Sequence, residues 1–510
     1  MLSKVNSIAL RGLDGYLVEV QVDISSGIPC WEIVGLPDIS VREAKERVRA
    51  AIKNSNFEFK SRKIVVNLAP ADLRKEGTYF DLPIAIGILL NMGYVNNVSN
   101  EIAFVGELSL DGGINKVNGI LPICIEAKKL GIKKIVLPKE NREEGAFVEG
   151  MEIIAVKNIK EVVGYLNGKI NIKVENKESK NFNNYTTKLD LDFSDVKGQE
   201  NAKRALEVSA AGGHNCLLIG SPGSGKTMMA KRFASILPDL SFEETLEINK
   251  IYSVAGKLSK EYPIITCRQY RAPHYTITPI SLVGGGKIPK PGEVSLAHYG
   301  VLFLDELPQF NKTTLELLRG PLEDGEISIN RMNGSIVYPC KFMLIASMNP
   351  CPCGYYGSKE KECTCNSKSR LKYINKVSGP LLDRIDIQVE VSKVQYNKLR
   401  ANNKEENSEK IKERVNKARS IQRERYKEFK IFSNAELSQN LIPKFCKLND
   451  ESEKLLQMAF ERLGLSARAY TRVLKVARTI ADLDNSNNIE SKHIAEAIQY
   501  RSLDRKYWNN

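Results

Sequence analysis

The residues best placed to do chemistry are a glycine-rich run and a pair of carboxylates. Gly220, Ser221, Pro222, Gly223, Ser224, Gly225, Lys226 and Thr227 fit the pattern G-x-x-x-x-G-K-[ST]. The glycines let backbone N–H groups wrap a polyphosphate with no Cβ in the way, and the helix N-terminus that follows adds partial positive charge. Lys226 is spaced to reach the β- and γ-phosphates of ATP, and Thr227 to ligate Mg²⁺. Asp305 and Glu306 end the apolar run VLFLDE (301–306), so they project from the tip of a buried strand, where open α/β sheets bind ligands. Asp305 is read as the Mg²⁺ carboxylate, direct or through water, and Glu306 as the base that polarises the attacking water. The bland alternatives are a chance glycine loop and two solvated carboxylates. An apolar strand before the loop (CLLIG, 216–220), a helix after it (MMAKRFASIL, 228–237) and the presence of both motifs favour the nucleotide reading.

Four thiols form a second constellation. Cys351 and Cys353 are separated from Cys363 and Cys365 by nine residues that include Gly354 and Gly357. Four thiolates so close can surround a tetrahedral Zn²⁺, although C-x-C is less typical of zinc than C-x-x-C, and reduced unligated thiols are the alternative. The remaining six cysteines are scattered, unlike the paired framework of a small secreted domain. The cluster starts two residues after Asn349, so a closed metal knuckle would brace the loop leaving that strand.

These groups need a scaffold. At 510 residues the chain exceeds one ordinary core, and two to four domains are expected. Strand-like IVVNLAP (64–70) and KKIVLP (133–138), with an amphipathic helix at 41–55, mark a mixed N-terminal domain over 1–168. The Asn-, Lys- and Thr-rich stretch 169–190 reads as a linker. From 191 to 392 apolar strands alternate with helices, as in a parallel sheet covered on both faces. Residues 393–510 read as helical and charged, with runs at 409–429 and 467–483.

The net charge of +14 suits a polyanionic partner such as DNA, but also a lysine-rich solvated surface. The N-terminus lacks the apolar run of a signal peptide, and no stretch approaches the roughly 18 apolar residues of a membrane span, so the cytoplasm is the expected location.

Longer motifs carry a resemblance. RAPHYTITPISLVGGGKIPKPGEVSLAHYGVLFLDEL (271–307), PLEDGEISINR (321–331), ASMNPCPCGYYG (346–357), GPLLDRIDI (379–387) and SARAYTRVLKVARTIADL (466–483) resemble the magnesium-chelatase-like branch of AAA+ ATPases, and within it the ComM/YifB family. The likeness runs over nearly the whole chain. It implies a P-loop AAA+ parallel-sheet core with a helical C-terminal lid, an ATPase forming a ring, expected to be a hexamer, and action on single-stranded or branched DNA in recombination or natural transformation. By the same resemblance Asn349 falls at the sensor position that orients water, and Arg384 at the finger that reaches the ATP of a neighbouring subunit. A local salt bridge from Arg384 to Asp383 or Asp386 is the alternative. Arg468 falls at the second sensor, in the lid over the nucleotide, with Arg472 as the other candidate. Residues 326–339 resemble a hairpin that enters the central channel of related helicases, with Arg331 at its DNA-touching position. The Asn333-Gly334 pair independently suits a hairpin, and an ordinary surface hairpin is the alternative.

Residues 75–89 and 106–141 resemble the α+β proteolytic domain of Lon. Lon chemistry needs a serine activated by a lysine. Those positions are Tyr79 and Leu121 here, so the domain is expected to be non-proteolytic and to serve assembly or DNA contact. The leading expectation is thus an ATP-driven DNA translocase or branch-migration motor. A metal-chelatase motor subunit is the first alternative, and the N-terminal domain is expected to separate the chain from such subunits. A Lon-like protease is the second.

Overall fold

The computed structural model describes residues 2–510 except 60–61, 175–190, 260, 287–288, 332–333, 359–360, 395–404, 430, 464–465, 504–506 and 509–510. Most of the expected linker therefore lies outside the described residues. The chain divides into two compact units, one of Met1–Thr186 with Thr245–Thr266 and one of Thr187–Glu244 with Cys267–Asn510.

The first unit is α+β. Its seven-stranded sheet runs Cys30–Val34, Lys63–Ala69, Asp14–Ser25, Leu2–Arg11, Ile102–Phe104, Lys134–Pro138, Glu152–Val156 from edge to edge. Leu2–Arg11 and Asp14–Ser25 pair antiparallel, and Ile102–Phe104, Lys134–Pro138 and Glu152–Val156 are parallel. The amphipathic helix is Ile39–Asn54, started by Asp38, whose carboxylate accepts from the Val41 N–H at 2.8 Å. It buries Val41, Ala44, Val48, Ala51 and Ile52, the i, i+3/i+4 stripe that its spacing requires.

The second unit is α/β. Five parallel strands stand in the order Tyr270–Arg271, Val301–Leu304, Met343–Met348, Cys216–Gly220, Ile387–Val391. Alternation splits the central strands between two cores. Cys216, Leu218 and Ile345 join Val473, Leu474, Ala477 and Ile480 of the helix Ala467–Leu483, while Leu217, Ile219, Leu344 and Ala346 join Leu282, Val294 and Leu381 on the other face. Both faces are covered, which is why these strands are uninterrupted apolar runs.

The hairpin forms as Glu326–Arg331 against Gly334–Pro339, with Arg331 opposite Gly334. Gly334 is thus a strand residue rather than half of the turn. The Arg331 side chain and Asn333 lie outside the described residues.

The charged helix is Ser408–Arg425. Several of its cations bind other elements. Arg425 meets Asp482 at 3.0 Å, Lys412 meets Asp239, Arg414 meets Glu406 at 2.6 Å and Glu207, and Arg419 donates to the Ala210 carbonyl at 3.1 Å.

Candidate functional site

The glycine-rich loop leaves the buried strand Cys216–Gly220 and enters the helix Lys226–Phe233. Gly225 caps that helix at φ 92°, a left-handed conformation open to glycine and strained for other residues. The Lys226 ammonium donates to the carbonyls of Gly220 at 2.7 Å and Ser221 at 3.0 Å, and to Asn349 Oδ1 at 3.2 Å. Burial lowers the Lys226 pKa, against the pull of Asp305 and Glu306. Thr227 Oγ1 donates to Asp305 Oδ2 at 2.7 Å, and Ser347 Oγ donates to Asp305 Oδ1. Glu306 is exposed at the strand tip with φ 51°, a strained backbone for a non-glycine residue.

Strand order explains the convergence. The strand ending in Met348 lies between the loop strand and the acidic strand, so Asn349 emerges between Lys226 and Asp305. Two residues escaped sequence reasoning. Ser347 fixes one oxygen of Asp305, and buried Tyr373 sets its hydroxyl against the Asn349 backbone, its pKa raised to about 12 by burial. The apolar stretch ASM that carries Ser347 gave no polar signal, and Tyr373 is remote in sequence.

The adjacent hydroxyl and carboxylate oxygens of Thr227 and Asp305 are hard donors of the kind Mg²⁺ takes in phosphate sites. The four thiols also converge. The Sγ atoms of Cys351, Cys353, Cys363 and Cys365 all lie within 4.8 Å of one another, with Cys351 and Cys353 at 3.3 Å. Sulfurs bound at about 2.3 Å around a tetrahedral Zn²⁺ stand roughly 3.8 Å apart, so the donor set fits that ion. The knuckle also leans on the phosphate loop. A Cβ on Gly354, at φ 84°, would meet Pro222 Cδ at 2.5 Å.

The arginines sit elsewhere. Arg384 is buried, donates to the carbonyls of Arg319 at 3.1 Å and Pro380 at 2.7 Å, and pairs with Glu323. It pairs with neither Asp383 nor Asp386. Asp386 instead binds Arg472 at 2.7 Å and accepts from the Asn215 N–H at 3.1 Å. Burial would raise the Asp386 pKa, but Arg472 and His214 outweigh it and hold the carboxyl far below its usual range. Arg468 is exposed, and with Arg384 and Arg472 it lines a cavity of about 580 Å³. No residue from Gly220 to Thr227 lines that cavity.

In the first unit Tyr79 is partly buried beside the cluster that contains Leu121, and its hydroxyl accepts from the Leu10 N–H at 3.4 Å. Glu144 accepts from the Leu121 N–H at 3.0 Å and from Ser253, which belongs to the Thr245–Thr266 segment of this unit.

Sheet order, phosphate loop and acidic strand tip are those of an AAA+ P-loop protein. Residues 192–399 match the family described as "Magnesium chelatase, subunit ChlI", 405–501 its C-terminal counterpart, and 20–141 "Subunit ChlI of Mg-chelatase". The "Uncharacterized protein YifB" of Escherichia coli is 43% identical over 508 residues, covering 99% of this chain and 98% of its own. The "Competence protein ComM" of Haemophilus influenzae is 41% identical over 507 residues, again 99% and 98%. "Lon protease 2" of Bacillus subtilis is 28% identical over 177 residues, 31% of this chain and 32% of its own. The chain belongs to the ComM/YifB family of magnesium-chelatase-like AAA+ proteins. Because 20–141 itself matches a chelatase-subunit description, the N-terminal domain does not set the chain apart from chelatase subunits as expected. Among the described residues no helix is long and apolar enough to cross a membrane.

Proposed function

We propose that this chain is an ATP-hydrolysing motor that remodels DNA as a homo-oligomeric, hexameric ring in the cytoplasm. The observation that carries the ATPase half is the convergence of Lys226, Thr227, Asp305 and Asn349 at one sheet edge. ATP lies along Gly220–Thr227, with Lys226 exchanging its carbonyl partners for phosphate oxygens. Thr227 and Asp305 hold Mg²⁺, which neutralises phosphate charge when bound. Glu306 takes the proton of the attacking water and Asn349 orients that water. Four thiolates of Cys351, Cys353, Cys363 and Cys365 hold Zn²⁺ as a structural brace.

The ring reading is supported by the arginines. Arg384 lines a cavity that the phosphate loop does not line, which supports its acting on the nucleotide of an adjacent subunit, and Arg468, read as the second sensor, lines that same cavity. The domains are read as a non-proteolytic Lon-like domain (1–168), a linker (169–190), the ATPase core (191–392), from which Thr245–Thr266 groups with the first unit, and a helical C-terminal domain (393–510).

DNA is favoured by a full-length relative named for competence. The family descriptions name magnesium chelatase, so a chelatase motor is the second reading. A protease is disfavoured because neither Tyr79 nor Leu121 can supply the serine–lysine chemistry. The deciding experiment is the ATPase rate with and without single-stranded, duplex and four-way-junction DNA. Stimulation by DNA that Arg331→Ala reduces, at unchanged basal rate, supports the motor reading. A rate indifferent to every DNA refutes it.

A further inference from the structure

A hollow of about 760 Å³ opens between the loop at 275–279, the start of the helix Lys312–Glu316 and the end of the helix Ser367–Ile374. Three lysines line it, Lys312, Lys372 and Lys376, and no carboxylate does. All three are exposed, and among the described residues none has a carboxylate within ion-pair distance, although Lys312 lies in the field of Glu316 four residues on. That sets them apart from neighbouring cations, since Arg271 is clamped by Glu293 at 2.6 Å, Arg319 by Glu316 at 3.0 Å and Arg384 by Glu323. Unpaired ammonium groups around one hollow are a field for anions rather than part of the fold's own ion pairing.

The rim adds an aromatic face. Tyr275 is 40% exposed, and its ring lies 4.1 Å from that of His274. An exposed tyrosine ring beside unpaired lysines is the pairing by which proteins hold unpaired nucleotides, a base stacked on the ring and phosphates met by ammonium groups. The side-chain amide N–H groups of Asn311 supply neutral donors for phosphate or sugar oxygens without opposing charge.

We propose that this hollow is a binding site for single-stranded nucleic acid, with Tyr275 as the base-stacking platform and Lys312, Lys372 and Lys376 as phosphate contacts. The proposal rests on the DNA-motor reading and gives it a second contact surface, distinct from the hairpin at Arg331. A duplex, whose bases are already stacked on one another, gains little from Tyr275, whereas a single strand gains the stacking contact.

The test is fluorescence anisotropy of a labelled oligo-dT of about 30 nucleotides and of a blunt duplex, with the full chain bound to a non-hydrolysable ATP analogue. Tyr275→Ala should weaken oligo-dT binding about tenfold, while Tyr275→Phe binds as wild type and duplex affinity is unchanged. The triple Lys312→Gln, Lys372→Gln, Lys376→Gln variant should flatten the dependence of log affinity on log salt by about 2, at roughly 0.7 per phosphate of a single strand. Basal ATPase and melting temperature, expected to match wild type, serve as folding controls. Wild-type affinity and salt slope in both the Tyr275→Ala and the triple-lysine variant overturn the site while leaving the motor reading intact, provided wild type binds oligo-dT. An equal loss on duplex and single strand in Tyr275→Ala overturns the stacking role. Wild type that binds no DNA at all defeats the motor reading and the site together.

Discussion

Gly354→Ala probes whether the cysteine knuckle positions the phosphate loop. The residue sits at φ 84°, and a Cβ would lie 2.5 Å from Pro222 Cδ and 2.7 Å from its Cγ. The left-handed backbone costs an alanine about 1 kcal/mol. Overpacking adds about 1–3 kcal/mol because the neighbour is a rigid ring. If about half of the total falls on the loop conformation that binds ATP, affinity drops roughly 5- to 30-fold. Titration with a fluorescent ATP analogue reads this directly. Gly131→Ala is the matched control, at φ 81° with nothing within 4 Å of its Cβ, and should retain wild-type affinity. Gly354→Ala binding ATP as tightly as Gly131→Ala, with metal content unchanged, would refute the positioning argument.

Arg384→Ala should bind ATP normally yet hydrolyse it poorly, and mixing it with Glu306→Gln should restore some turnover because a mixed ring holds intact interfaces. Mixed rings that form but stay inactive count against action in trans. About one Zn²⁺ per chain should co-purify under reducing, chelator-free conditions, and elemental analysis that finds no metal rejects the brace. The fourth prediction concerns pH. The folded-state pKa of Asp386 is depressed, so its contribution to stability is present above the unfolded value near 3.9 and fades as pH falls below that. Asp386→Asn should be less stable at pH 7 by about 1–3 kcal/mol, since the half-buried Arg472 loses its charged partner, yet flatter below pH ~4. Urea unfolding at several pH values checks this, and parallel curves for variant and wild type would contradict it.

Local chemistry was legible in the sequence. The phosphate loop and the acidic strand tip each lie within one short run, and their spacing carries their meaning. What depends on strand order was not. Nothing in the run around Asn349 says that its strand is inserted between the other two, yet that insertion brings its amide within 3.2 Å of Lys226. The Glu323 partner of Arg384 was hidden for a similar reason, and the local salt bridge weighed as the alternative to the finger did not form. Asp383 and Asp386 are near in sequence, while Glu323 is 61 positions away. The cationic helix showed the same bias, since i, i+4 pairing is the visible pattern and partners such as Asp482 and Asp239 are not. Apolar patterning read the strands near 64–70 and 133–138 and the helix near 41–55 of the N-terminal unit, but gave no hint that Thr245–Thr266 belongs with them.

That last segment has a consequence for how the chain is made. Synthesis is vectorial, and when residue 186 leaves the ribosome the first unit lacks one of its parts. Glu144 then has the Leu121 N–H and the Asn141 amide but not Ser253, and the Lys116 ammonium lacks the Leu258 carbonyl it meets at 2.7 Å. The unit is completed only after the phosphate loop has been synthesised, because the 58 residues from Thr187 to Glu244 intervene. A fragment cut between 175 and 190 is therefore a truncated body with an uncovered seam, and a graft of the N-terminal unit onto another protein would have to carry a second strip of sequence with it.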